Sequence, residues 1–276
     1  MSLHVAHHLL ACPHCGRELV PLEQRWACDA GHSFDVARQG YLNLANGPEP
    51  ANADTTAMLD ARARVQAAGL FDFLSRGLDG AVPYTGVQTV LEVGAGTGHY
   101  LAQLIEARPP ARGLALDVSR AAARRAAKAY HRVASVVADV WRGLPVREAS
   151  IDVLLCIFAP RNPVEFARVL RPGGRAIVVT PAAAHLAELR QRYGLLGIED
   201  DKRERLLERM APHLVHEHTT TLKQTGTLSA EVLDDLIRMG PNAHHDPPRP
   251  TAPEEVRLAI DLTVFRAPPG SRAAKP

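Results

Sequence analysis

The chain has 276 residues, of which 46% are hydrophobic and 22% charged, with a formal net charge of +2. This is globular composition with room for one large core and a small extra unit, and it neither demands nor excludes a nucleic-acid partner. No apolar run approaches the roughly 18 residues that cross a bilayer, and the opening M-S-L-H-V-A-H-H-L-L-A is a poor signal peptide, so a cytoplasmic protein without membrane contact is expected.

Three of the four cysteines crowd near the N-terminus. Cys12, Cys15 and Cys28 with His32 read C-x2-C-x12-C-x3-H. In a cytosolic chain this points to metal rather than disulfides. Zinc takes four nitrogen or sulfur ligands tetrahedrally, and two close pairs on separate turns supply them with little strain. Gly16 and Gly31 suit tight knuckles, with Leu19-Val20 and Arg25-Trp26-Ala27 as short strands between. Residues 1–44 are therefore expected to form a zinc-binding module with one structural Zn2+, folded by the metal because it has few apolar residues. Deleting it is expected to spare the cofactor site. His14 is a rival to His32, but a side chain between two ligands should point away from their metal. Chance clustering or a redox pair is the plainer alternative. Cys156, in the apolar run Val153–Phe158, reads as a buried structural thiol.

Residues 45–86 read as a polar linker followed by two helices, Met58–Gly69 and Gly69–Leu78. Then Val90–Tyr100 runs V-L-E-V-G-A-G-T-G-H-Y, which is a strand, a glycine turn and the start of a helix. Gly94, Gly96 and Gly98 open dihedrals closed to other residues and let a ligand approach the main chain, toward which the helix N–H groups then face. A dinucleotide site would read G-x-G-x-x-G, but His99 stands where the third glycine should be. With Glu92 before it, the turn resembles motif I of the S-adenosylmethionine-dependent methyltransferases.

A second strand, Gly113–Asp117, ends in an acid 23 residues after Gly94, the distance expected of a ribose-hydroxyl acceptor. A third, Val136–Asp139, ends in another acid, where methyltransferases usually contact adenine. Each acid alone could be a helix cap or a solvated carboxylate. Further strands are read at Ile151–Phe158 and Arg175–Thr180, with helices at Tyr100–Ala107, Arg120–His131 and Val164–Leu170. The alternation implies an α/β fold, a doubly wound and mostly parallel sheet of Rossmann-like class I methyltransferase type over residues 87–267. Such sheets hold ligands at the carboxyl ends of their strands, where the glycines, Asp117, Asp139 and Ala159-Pro160 fall.

Arg120, Arg124, Lys128 and Arg132 form a basic i,i+4 stripe that either binds phosphate or is a solvated helix face. After the turn Arg171–Gly174 come a helix carrying His185, a charged helix Glu199–Met210, strands Leu214–Leu222 and Ala259–Phe265 around helix Ser229–Met239, and a disordered tail, 268–276.

Taken together the chain resembles the bacterial rRNA guanine-N1 methyltransferases that act on a hairpin of 23S RNA. The resemblance runs through the zinc module and F-D-V-A-R-Q-G-Y-L-N-L (Phe34–Leu44), A-R-A-R-V-Q-A-A-G-L-F, A-D-V-W-R-G-L-P (Ala138–Pro145), F-A-P-R-N-P (Phe158–Pro163) and T-P-A-A-A-H-L-A-E-L (Thr180–Leu189). D-V-W, A-P-R-N-P and M-G-P-N-A-H-H (Met239–His245) resemble the Gram-positive branch associated with tylosin-type macrolide resistance. The resemblance implies S-adenosylmethionine held by Gly94, Ala95, Gly96, Thr97, Gly98, His99, Asp117 and Asp139, with Phe71 and His185 aligned to an aromatic and a histidine that contact the cofactor. It also implies a homodimer with a shared RNA cleft. Phe71 replaces a tyrosine common in the family, and simple core packing is its other reading.

Methylating N1 of guanine requires loss of the N1 proton and a base that is unpaired or flipped. The turn Ala159–Pro163 sits where methyltransferases hold their target. Asn162 or a main-chain carbonyl there is expected to read the base edge and Arg161 to hold phosphate or base, the alternative being that Arg161-Asn162-Pro163 only caps the next helix. His185, Asp139 and water are open as proton acceptors. The rival function is methylation of a small molecule, with a purely structural zinc module.

Overall fold

The computed structural model describes residues 2–45, 47–199, 201–245 and 247–270. Of the expected tail, 271–276 lie outside the described residues. Near the N-terminus β1 (Val20–Pro21), β2 (Arg25–Ala27) and β3 (Ser33–Asp35) form a small antiparallel sheet. The main sheet contains β4 (Leu42–Asn43), β5 (Thr89–Val93), β6 (Arg112–Asp117), β7 (Val133–Val137), β8 (Ile151–Ile157), β9 (Leu170–Pro181), β10 (Val215–Leu228) and β11 (Glu254–Arg266). Their order is β10-β11-β9-β8-β5-β6-β7-β4. From β4 to β9 every pairing is parallel, and β11 runs antiparallel to both β9 and β10.

Parallel strands covered on both faces are mostly apolar, and β5 and β7 are buried at every residue, the polar Thr89, Glu92 and Ser135 included. Alternate residues feed two cores. Leu91, Val93, Leu154 and Cys156 face one side with Phe166 and Met210, and Val90, Val153 and Leu155 face the other with Leu74 and Leu101. The helices are α1 (Thr56–Ala67), α2 (Asp72–Ala81), α3 (His99–Glu106), α4 (Arg120–Ala126), α5 (Pro163–Val169), α6 (Ala187–Tyr193), α7 (Lys202–Met210) and α8 (Ala230–Arg238). Strands β6 and β7 lie on one side of β5, while β8 and β9 lie on the other. The order reverses at β5/β8, and their carboxyl ends open the crevice where such sheets bind ligands.

The metal module shares the core of the main sheet: β4 closes the sheet edge on β7 (Leu42 opposite Val136), and Leu10, Leu19, Trp26 and Leu42 pack into the same core as Leu91 and Leu114. Two residues are too few to show a strand period. Helix α4 stops at Ala126, where the chain tightens through Lys128 N–H to Arg125 O and Ala129 N–H to Ala126 O. The four-residue basic stripe therefore does not exist. Arg132 lies off the helix and donates to Ala111 O and Ile105 O, both at 2.7 Å. Finally, His185 lies in the turn before α6 rather than inside a helix.

Candidate active site

The four predicted metal ligands converge. Cys12 Sγ and Cys28 Sγ lie 3.6 and 3.4 Å from His32 Nδ1, and Cys15 Sγ lies 3.7 Å from Cys28 Sγ. All four ligand atoms fall within 4.8 Å of one another. A tetrahedron with Zn–S of ~2.3 Å and Zn–N of ~2.0 Å has edges of about 3.5–3.8 Å, so the donor set fits zinc and fills every position. His14 is outside the set, its ring tilted against His32 and stacked on Phe34, with ring centroids 5.0 and 5.7 Å away.

At the crevice the glycine turn takes left-handed conformations, with φ of 70° at Gly94, 54° at Gly96 and 76° at Gly98. Only glycine adopts these without strain. Ala95 is buried beneath the turn, and the Thr97 hydroxyl donates to Gln66 Oε1 at 2.8 Å. Helix α1 thus crosses the turn, and Arg62 on the same helix lies over Gly96, paired with Asp54 and donating to Met239 O at 2.6 Å. His99 is half-buried, with the Asp72 carboxylate on α2 as its opposing charge, and burial lowers its pKa.

Asp117 ends β6 at the mouth of the turn. Its two oxygens accept the Gly96 and Ser119 N–H groups, each at 2.8 Å. Burial raises its carboxyl to about 6, the two amide bonds opposing. Glu92, 1% exposed, is pushed by burial to about 8, and its Oε2 has no partner among the described residues. A buried carboxyl with one oxygen unpartnered among the described residues, beside a glycine turn, suits a ligand that brings a polar group or positive charge.

Asp139 accepts the Trp141 N–H at 2.9 Å and borders a hollow of about 10 Å³, shared with Val118, Glu49 and Arg120. Phe71, 3% exposed, packs on Phe73 and meets Phe158 edge-on. His185 Nδ1 accepts the Ala259 N–H at 3.2 Å, and burial lowers its pKa to about 4. The ring is neutral, with its proton on Nε2.

Asn162 is the N-cap of α5. Its oxygen accepts the Glu165 N–H at 3.4 Å and its amide donates to Val140 O at 2.9 Å, so one end caps α5 and the other ties the turn to the segment after β7. Arg161 makes no ion pair among the described residues and faces Lys202, whose pKa is lowered by burial and by Arg161. Cys156 is buried and its thiol pushed up to about 12, in keeping with a structural role.

The family described as the N-terminal domain of RlmA, a zinc ribbon, matches residues 10–45, and the general methyltransferase-domain family matches 90–174. The 23S rRNA (guanine(748)-N(1))-methyltransferase of Streptomyces fradiae is 42% identical over 272 residues, covering 94% of this chain and 97% of that protein. The chain belongs to the 23S rRNA (guanine-N1)-methyltransferase family. A Micromonospora griseorubida relative, named provisionally for the same class, is 42% identical over 93% of this chain and 97% of its own. A solved chain from the complex of the Haloferax volcanii Trm112 methyltransferase activator with a methyltransferase shares the fold, with a TM-score of 0.53 at 18% identity, covering 78% of this chain and 98% of that one.

The protein is thus an S-adenosylmethionine-dependent methyltransferase with a zinc ribbon. Sequence reasoning missed Arg62, Gln66 and Ser119, all of which touch the glycine turn or its Asp117 clamp. Ser119 had a signal, since a serine two residues after a strand-ending acid is a helix N-cap, and its hydroxyl accepts the Ala122 N–H at 3.2 Å. Arg62 and Gln66 had none, because the crossing of α1 over the turn is long-range.

Proposed function

We infer that this enzyme transfers a methyl group from S-adenosylmethionine to N1 of a guanine in a 23S rRNA hairpin. The observation that carries this is near-end-to-end similarity to the Streptomyces fradiae relative, zinc ribbon included. Gly94–His99, Asp117, Asp139, Phe71 and His185 hold the cofactor, whose positive sulfonium supplies an electrophilic methyl. The chain's own work is to align the base with that methyl, exclude water and let the N1 proton leave.

His185 is not the proton acceptor, because Nδ1 is occupied by the Ala259 N–H and Nε2 carries the ring proton. It acts as a donor. Asp139 spends one oxygen on its own turn. We take water as the proton acceptor, helped by Arg161 and Lys202, neither of which makes an ion pair among the described residues and both of which favour the anionic guanine. Asn162 fixes the shape of the turn whose carbonyls read the base edge, and Arg161 holds phosphate or base.

The active assembly is a homodimer. The exposed 14-residue edge strand β10 pairs only with β11 among the described residues, which leaves one edge for a second copy. No described helix is long and apolar enough to cross a membrane; a ribosomal RNA substrate supports action in the cytoplasm, and tylosin-type resistance rests on the resemblance of D-V-W, A-P-R-N-P and M-G-P-N-A-H-H alone.

A base methylated at N1 cannot pair, so reverse transcriptase halts beside it. Primer extension across the hairpin, in RNA from cells with and without the gene, should show a stop that depends on the gene. A stop that is absent, or that persists without the gene, sinks the assignment and favours a small-molecule substrate.

A further inference from the structure

Phe158 directly follows β8, and its ring has no part in the cofactor reading. Its φ is 53°, a left-handed conformation in which an aromatic residue is strained. The backbone is pinned there. The Phe158 N–H donates to Val179 O at 3.0 Å, and the next residue presses on the glycine turn so closely that a Cβ on Gly94 would stand 2.3 Å from Ala159 Cβ.

The strain does not serve burial. Phe158 is 43% exposed, whereas Cys156 and Ile157 before it are 0% and 6% exposed. Its ring stands at the carboxyl end of β8, where the sheet order reverses, with the Phe71 ring 6.3 Å away and the His185 ring 6.4 Å away. Phe71 is buried, so the wall is closed on that side and open toward the crevice. Folding alone would favour glycine or asparagine at such a φ. Strain of this kind persists where a site uses it.

We propose that Phe158 is the stacking surface for the extruded target guanine, a site that rests on the guanine reading above. An extruded base is read on its Watson–Crick edge while its face lies on an aromatic or apolar side chain. Every nucleobase offers such a face. The Ala159–Gly94 contact sets that surface one residue from the turn that holds the methyl donor. Arg161, three residues further along the chain and without an ion pair among the described residues, leaves the rim cationic above an apolar floor.

The test compares wild type with Phe158→Leu, Phe158→Trp and Phe158→Gly. The readouts are S-adenosylmethionine affinity by calorimetry, hairpin affinity, and single-turnover methyl transfer to a synthetic 23S hairpin transcript. In Phe158→Leu, transfer should fall roughly ten- to a hundredfold with cofactor affinity unchanged. Hairpin affinity should move less than about threefold, since phosphate contacts dominate it. Phe158→Trp should keep most of the rate. Phe158→Gly suits the backbone, so it should unfold as cooperatively as wild type and still lose transfer, which separates a lost ring from a damaged fold. Wild-type rates in Phe158→Leu and Phe158→Gly overturn the stacking site, as does a loss of cofactor affinity equal to the loss of rate. A wild-type enzyme inactive on the hairpin overturns the guanine reading instead.

Discussion

Asp117 accepts the Gly96 N–H at 2.8 Å, so the acid that ends β6 clamps the middle of the turn that ends β5. Its other oxygen takes the Ser119 N–H, and each oxygen keeps a further lone pair. Those lone pairs suit two ribose hydroxyls. Charge-assisted bonds are worth about 1.5–3 kcal/mol, so Asp117→Ala should weaken S-adenosylmethionine binding roughly ten- to a hundredfold. Asp117→Asn should also bind more weakly, since its NH2 would meet a backbone N–H. Calorimetry giving an unchanged dissociation constant for Asp117→Ala would remove the residue from the site.

The glycine turn makes a steric prediction. A Cβ on Gly94 would lie 2.3 Å from Ala159 Cβ, and the residue holds φ at 70°. Gly94→Ala therefore combines overpacking with backbone strain, each costing about 1–3 kcal/mol. It should lower the urea midpoint and weaken cofactor binding together. A variant with wild-type stability would show that the turn relaxes freely.

Zinc should be a folding ligand for the whole protein, not for the ribbon alone. Cys12 and Cys28 lie in the core that also holds Leu42, Leu91 and Val136, and Arg147 N–H bonds back to Leu9 O. Purified protein should contain one zinc per chain. Cys28→Ala should lose it and melt at lower temperature, with cofactor affinity falling as the sheet edge loosens. Deleting residues 1–44 removes β4 and uncovers that core, so the truncated chain should not fold. Elemental analysis with no zinc, or full zinc retained in Cys28→Ala, would refute the site.

Short-range features were legible in the sequence. The ligand spacing Cys12–His32, the alternate glycines and the strand-ending acids are each set within a few residues of chain, and their chemistry shows in residue type. The attachment of β4 to β7 depends on a pairing between residues 42 and 136, which no local pattern carries. The hydrogen bonds that commit Asn162 to Val140 and His185 to Ala259 also come from distant segments. Residue type alone therefore left both open for catalysis. Helix α4 failed for a different reason. Ala127–His131 has good helix propensity, but the chain must turn back to enter β7 at Val133.

The last prediction concerns pH. Burial pushes Glu92 to about 8, from an ordinary value of 4.5, so the folded protein binds its proton more tightly than the unfolded chain does. A carboxyl raised by folding favours the native state most at low pH, and that contribution is lost as pH rises toward the folded value. Asp117, raised to about 6, acts in the same direction but is nearly exhausted by pH 7. His99 and His185 are lowered, so their contribution increases with pH and levels off above the ordinary histidine range. Between pH 7 and 8 Glu92 therefore dominates among these groups, and the cofactor-free enzyme should lose about 1 kcal/mol of stability. Glu92→Gln keeps the shape without the titration and should flatten that slope. Urea midpoints at the two pH values decide it, since an equal fall in wild type and Glu92→Gln would assign the loss to another group.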